Sequence, residues 1–225
     1  MRDHTVVVGF GTKGRSAIQT VCATGLKKEQ VVVVDPNSKA VDAAVAQGYT
    51  GVIGDATRSD VLMRAEVHRA GQIIVATQRD DTAVLVTLTA RQLNQSAKIV
   101  AAVREEENAP LLQQSGADAV ITSASAAGRL LGLSVFSPAV GMVMEDLIQQ
   151  GSGLDLVERP VTKAEAGRGV RETEDLVVSV VRGHRVLGYD DPAIGRLQLT
   201  DRLITIVRVT SGTQDVPDTR PLPRS

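Results

Sequence analysis

Gly9, Gly11 and Gly14 stand in a Gly-x-Gly-x-x-Gly spacing directly after the β-branched run Thr5–Val8, and Asp35 closes the next such run, Val31–Val34. That order of strand, glycine loop, helix, strand and acid suits binding of a dinucleotide or a nucleoside phosphate. Gly9 permits a tight turn, Gly11 lets the backbone approach a pyrophosphate, and Gly14 allows close packing of helix on sheet. The helix that follows presents its first N–H groups to phosphate oxygens. Phe10, Thr12 and Lys13 fill the loop, and Lys13 supplies a counter-charge for phosphate. Asp35 is placed to accept the ribose hydroxyls and to repel a 2′-phosphate, which favours NAD(H) over its phosphorylated form. ADP and ATP carry the same ribose diol and stay open as ligands. The competing reading is a vestigial nucleotide fold whose glycines only make the turn.

Other polar residues fall at the carboxyl ends of predicted strands, where a doubly wound sheet presents its ligand face. These are Asp55, Ala56 and Thr57 after the third strand, Thr77 and Gln78 after the fourth, and Arg104 after the fifth. Taken singly they read as caps or loop residues, with Asp55 or Thr57 capping the helix that begins near Ser59. Together they mark the rim of one crevice. The acidic run Glu105–Glu107 beside it reads as a solvated helix start stabilised by negative charge, ahead of a divalent-cation site.

No catalytic group emerges. His4, His68 and His184 read as surface residues, Tyr49 and Tyr189 lack a Tyr-x-x-x-Lys spacing, and Cys22 reads as a buried structural thiol on an amphipathic helix. Without a positioned acid or base, hydride chemistry has no proton partner. The expectation is a bound nucleotide that is sensed and not consumed, with no catalytic residue and no metal site. A small NAD-dependent oxidoreductase is the rival from another class, and a free-standing nucleotide-binding oligomer is a third reading.

The elements that must position these residues alternate. Apolar runs at Thr5–Val8, Val31–Val34, Gly51–Ile53, Ile73–Thr77, Ile99–Val103 and Ala119–Ile121 are separated by helical patterns at Arg15–Thr24, Ser38–Gln47, Ser59–Glu66, Thr82–Leu93 and Asn108–Ser115. Such β-α alternation predicts an α/β domain over residues 1–123, a Rossmann-like doubly wound parallel sheet. Residues 124–150 then read as one long helix, apolar on nearly every side, with Pro138 as its bend. A helix of that kind must be covered all round, which predicts a homodimer formed through it; the alternative is a kinked core helix packed within one chain. Residues 151–210 read as a small β-rich α+β lobe, with a hairpin turning at Gly183-His184, and residues 211–225 as a disordered tail.

Composition narrows the classes further. The 225 residues carry 25 Lys+Arg against 26 Asp+Glu, a net charge of −1, and only 2% aromatic residues, so neither charge nor stacking favours nucleic acid. A single Cys makes no intramolecular disulfide. Met1–His4 runs straight into a strand, without a signal-peptide core, and no stretch reaches the ~20 apolar residues that span a bilayer. A cytoplasmic location is expected.

The order of these segments resembles the RCK (regulator of K⁺ conductance) domain, TrkA-N followed by TrkA-C, of prokaryotic potassium channels and Trk/Ktr-type transporters. The resemblance rests on Val6–Gly14, Val33–Asp35, Gly54–Thr57, Ile73–Thr77, Ile99–Arg104 and Gly116–Ile121, with Thr200–Val207 similar to the smaller C-terminal lobe. It implies a cytosolic gating-ring subunit or domain at the inner face of the membrane. It further implies a dimer through the crossover helix, assembly into a ring, and coupling to a potassium pore on the same or a separate chain. A calcium-gated branch of that family carries acids on the fifth strand, where this sequence has Ala102 and Arg104 and only Asp81 stands in an equivalent place, so Ca²⁺ is not expected. An ATP/ADP-binding branch often has Arg where this chain has Thr12, which leaves NAD(H) first and ADP or ATP next.

Overall fold

The computed structural model describes residues 2–149 and 153–209. They form two compact units that divide between Gly132 and Leu133. The tail expected beyond residue 210 and the Gly151-Ser152 part of the expected boundary lie outside the described residues.

The first unit is built on six parallel strands: β1 (Thr5–Val8), β2 (Val31–Asp35), β3 (Thr50–Ile53), β4 (Gln72–Val75), β5 (Lys98–Val103) and β6 (Ala119–Thr122). Their spatial order is β3-β2-β1-β4-β5-β6, so the chain reverses direction across the sheet between β1 and β4. β1 and β2 are continuous valine runs because both faces of the sheet are covered. Val6 and Val8 face a core shared with α3 (Ser59–Arg64), α4 (Asp80–Leu93) and α5 (Ala109–Gln114). Val7 faces the opposite core, built from α1 (Thr12–Ala23) and α2 (Ser38–Ala46) and including Phe10, Ile18, Ala44 and Tyr49.

Long-range polar contacts hold the strand ends. Asp118 Oδ2 accepts the Ile99 amide at 2.7 Å and a hydrogen bond from Arg91 Nη2 at 2.9 Å, so the Gly-Ala-Asp segment locks the entry to β6 onto β5 and α4. His4, expected at the surface, is fully buried: its Nε2–H donates to the Ala65 carbonyl at 3.0 Å, tying the start of β1 to the end of α3. His68 and His184 are exposed, as expected, and Cys22 is half-buried.

The predicted single helix over 124–150 is two helices, α6 (Ser123–Phe136) and α7 (Pro138–Ile148). Ser137 between them is extended, and Pro138 takes the first turn of α7, where its missing N–H costs nothing. Leu131, Val135, Phe136, Met142 and Ile148 are all largely exposed, and Phe136 reaches 92%.

The second unit carries an antiparallel sheet of β7 (Gly153–Pro160), β8 (Leu176–Arg182), β9 (Arg185–Gly188) and β10 (Arg202–Val209), in the order β7-β10-β8-β9. The β8–β9 hairpin turns at Gly183, whose φ of +59° suits a residue without Cβ. Val177, Val180, Leu187, Ile194, Leu197 and Leu203 form its core. Two arginines brace it: Arg182 pairs with buried Asp201, and Arg159 with both Glu165 and Asp175.

Candidate functional site

A cavity of about 440 Å³ opens at the carboxyl ends of β1, β2 and β4, where the strand order reverses. Ligands of open α/β sheets bind at such a switch point. Of the residues singled out in the sequence, Gly9, Phe10, Gly11, Asp35, Asp55, Ala56, Thr77 and Gln78 line it. Thr12, Lys13, Gly14 and Arg104 do not.

The glycine loop is held by its own backbone. Gly9, with φ +95°, donates its N–H to Val34 O, and a Cβ there would lie 2.8 Å from the Ala76 carbonyl oxygen. A Cβ on Gly14 would lie only 1.9 Å from Gly9 O, so the first turn of α1 closes against the loop itself. Gly11 differs: nothing lies within 4 Å of its Cβ position, and its φ of −74° is ordinary. Gly11 is the N-cap of α1 and has no side-chain oxygen to satisfy the N–H groups that follow, so those donors are left for a ligand at the helix start.

Asp35 does more than stand at the end of β2. Its Oδ2 accepts the Phe10 amide at 2.8 Å and its Oδ1 accepts the Asn37 amide at 2.9 Å. The carboxylate therefore fixes both the loop and the entry to α2, and the remaining lone pairs on each oxygen are available to a hydroxyl. Beneath the loop, Phe10 is buried edge-to-face on Tyr49, with ring centroids 6.3 Å apart.

Lys13 is not among the lining residues: its Nζ donates to the Thr77 carbonyl at 2.8 Å, bridging the first turn of α1 to the end of β4. Asp55 does not cap α3, whose N-cap is Arg58 with no side-chain bond. Instead Asp55 Oδ1 accepts both the amide and the hydroxyl of Thr57, and these bonds, with the amide first, hold its carboxyl below the usual carboxylate range. Arg104 lies in a neighbouring depression of about 310 Å³ with Gln78, Arg79, Asp80, Asp81 and Glu105. There Asp80 accepts the Arg104 and Glu105 amides and the Asn108 side chain. Desolvation pushes the Asp80 carboxyl up, but these hydrogen bonds outweigh it and hold the group in its charged form. Asp81 is paired with Arg79. Among the described residues no group of three His, Cys, Asp or Glu side chains is arranged to hold a metal ion.

The sequence reading did not single out Pro36, Asn37, Ala40 or Arg79, all of which line the cavity. Asn37 had a local signal: it is the N-cap of α2, its Oδ1 accepting the Lys39 amide. Arg79 had none, because its place at the mouth follows from the turn between β4 and α4.

A doubly wound sheet with a glycine loop, an acid at the end of β2 and a cavity at the switch point defines a nucleotide-binding class of domain. More particularly, the chain belongs to the TrkA-N domain family, whose pattern matches residues 5–123. Potassium channel protein 1 of Methanocaldococcus jannaschii is 23% identical over 203 residues, 85% of this chain and 60% of that protein. Other curated relatives are matched over smaller shares of their length, such as 23% of a Methanothermus fervidus protein. Among solved structures, the GsuK RCK domain aligns with 92% of this chain and 44% of its own, at 26% identity and a TM-score of 0.54. The GsuK channel bound to NAD aligns with 92% of this chain and 36% of its own, at 27% identity and a TM-score of 0.53. The fold and the family implied by the sequence resemblance are thus both found. Among the described residues no helix is long and apolar enough to cross a membrane.

Proposed function

We propose that this chain is the ligand-sensing regulatory module of a potassium channel or transporter, and that its cavity binds a nucleotide, NAD(H) ahead of ADP or ATP. The observation that carries the reading is the open cradle at Gly11, beside an Asp35 whose carboxylate is already oriented by Phe10 and Asn37. Gly11 and the first amides of α1 would hold a pyrophosphate, and Asp35 the ribose hydroxyls. Pro36, Ala40 and Ala56 offer apolar wall for a base. The likeness to an NAD-bound channel supports a nucleotide as the ligand.

Of the titratable side chains lining the cavity among the described residues, Asp35 and Asp55 accept backbone amides and Arg79 pairs with Asp81. That suits holding a ligand more than moving protons, which favours a sensor over an oxidoreductase. The exposed apolar faces of α6 and α7 are covered in this reading by a second copy, and dimers assemble into a ring at the cytoplasmic face of a membrane pore. Ligand shifts gating by binding one ring conformation better than the other, and by no more than that difference.

Calorimetric titration of the purified chain with NAD⁺, NADH, ADP, ATP and Ca²⁺ tests the reading. Saturable binding of one nucleotide, with NAD⁺ or NADH the tightest and no heat from Ca²⁺, is expected. Silence from every nucleotide would make the glycine loop a structural relic. Turnover of NADH against carbonyl substrates would move the protein to the oxidoreductase class.

A further inference from the structure

We propose that Arg79 is the phosphate-recognising arm of this cavity, and that its partner Asp81 limits the negative charge the cavity admits, selecting a dinucleotide diphosphate over a nucleoside triphosphate. The proposal rests on the nucleotide reading given above. Charge at the cavity wall is its starting point. Arg79 is the one cationic side chain among the described residues lining the cavity, and Asp35 and Asp55 oppose it there. Lys13, the cation that the glycine loop itself supplies, donates to the Thr77 carbonyl and is not among the residues lining the cavity.

Arg79 also has the right position and freedom. It lines both the cavity and the adjoining depression that holds Asp80, Asp81 and Arg104, so it stands between the two. Its Nε and Nη2 donate to the two oxygens of Asp81 at 3.0 and 2.5 Å. Among the described residues nothing accepts from its Nη1, which leaves two N–H donors of a planar fork for a phosphate oxygen. The side chains of Arg79 and Asp81 are 76% and 60% exposed. An exposed pair of this kind contributes little to stability, so the guanidinium can exchange or share its partner at small cost.

Asp81, by contrast, is fixed: its Oδ1 also accepts the Thr82 amide at 2.7 Å, in the first turn of α4. A phosphate that draws Arg79 inward leaves this carboxylate nearby and less compensated. A diphosphate bridging two nucleosides has no terminal phosphate to bring against it. A triphosphate does, and like charges at close range disfavour binding.

Calorimetry on the full chain with adenosine, NAD⁺ and ATP, using wild type, Arg79→Gln and Asp81→Asn, tests this. Arg79→Gln is expected to weaken NAD⁺ roughly 10-fold or more while leaving adenosine within about 2-fold. Asp81→Asn is expected to raise ATP affinity more than NAD⁺ affinity, narrowing their ratio at least about 5-fold. Both side chains are exposed, and unchanged melting temperatures would confirm that the variants fold. Equal losses for NAD⁺ and adenosine in Arg79→Gln, or an unmoved ratio in Asp81→Asn, would overturn the assignment while leaving the nucleotide site standing. A wild-type chain that binds none of the three ligands would overturn both.

Discussion

Asp35 Oδ2 lies 2.8 Å from the Phe10 amide, so the acid at the end of β2 and the glycine loop after β1 are one hydrogen-bonded unit. Asp35→Ala should therefore do two things at once: remove an acceptor for the ribose and release the loop. Charged hydrogen bonds of this kind are each worth ~1.5–3 kcal/mol, so nucleotide affinity should fall roughly 10- to 100-fold. Asp35→Asn keeps one acceptor oxygen for an amide and should fall between the two. Titration calorimetry on all three proteins checks the order, and equal affinities would remove Asp35 from the site.

The glycines of the loop should separate into structural and ligand-facing positions. Gly14→Ala forces a methyl group toward the Gly9 carbonyl oxygen at 1.9 Å, a backbone atom that cannot swing away. It should destabilise the first unit by about 2–4 kcal/mol, in the range of overpacking and strained-backbone changes. Gly11→Ala meets nothing within 4 Å and has an ordinary φ, so only the modest cost of Ala at an N-cap is expected and the melting temperature should fall far less than in Gly14→Ala. Its methyl group stands where a phosphate would approach, and nucleotide affinity should drop. Paired thermal melts and titrations read both effects.

Sequence periodicity reports burial, which is why the sheet was legible. Val6–Val8 and Val31–Val34 are continuous because helices cover both faces, and the glycine loop between them fits only a tight strand-to-helix turn. What the sequence could not show are the side-chain bonds that span the fold. Lys13 reaches Thr77 across 64 residues, and His4 reaches Ala65 across 61. Nothing local in either residue distinguishes a surface group from one drawn into a tertiary bond. The cap expected of Asp55 failed for a different reason: an Asx turn and an N-cap use the same residue types, and only the backbone of Thr57 decides between them.

The second unit should show its own acid sensitivity. The Arg159 guanidinium, opposed by burial and aided by the Thr162 amide and hydroxyl, holds Glu165 down at about 2 against an ordinary 4.5. A depressed folded-state value means that the stabilisation is complete above about 4.5 and is lost as the pH falls from there toward 2. Allowing for solvent screening, the loss should be on the order of 1–2 kcal/mol. Hydrogen exchange of β7 amides between pH 7 and pH 3, with rates corrected for intrinsic pH dependence, should show protection falling in wild type. In Glu165→Gln protection should start lower and vary less with pH. Parallel curves for the two proteins would place the acid sensitivity elsewhere.

Apolar exposure on α6 and α7 gives the last expectation. Val135, Phe136 and Met142 are 80%, 92% and 72% exposed, against a core elsewhere in the chain that excludes water from valine, leucine and isoleucine alike. Burying a large apolar side chain is worth ~1.5–3 kcal/mol, so a second copy that covers these three would hold a dimer at micromolar concentration. Phe136→Glu combined with Met142→Glu removes two such side chains and sets four charges facing one another across the two-fold. Sedimentation equilibrium should find wild type dimeric and the double variant monomeric. Its melting temperature at low concentration should stay close to that of wild-type monomer, because neither side chain fills the chain's own core. A wild-type monomer at high concentration would leave these faces to some other partner and would remove the self-covered crossover from the functional reading.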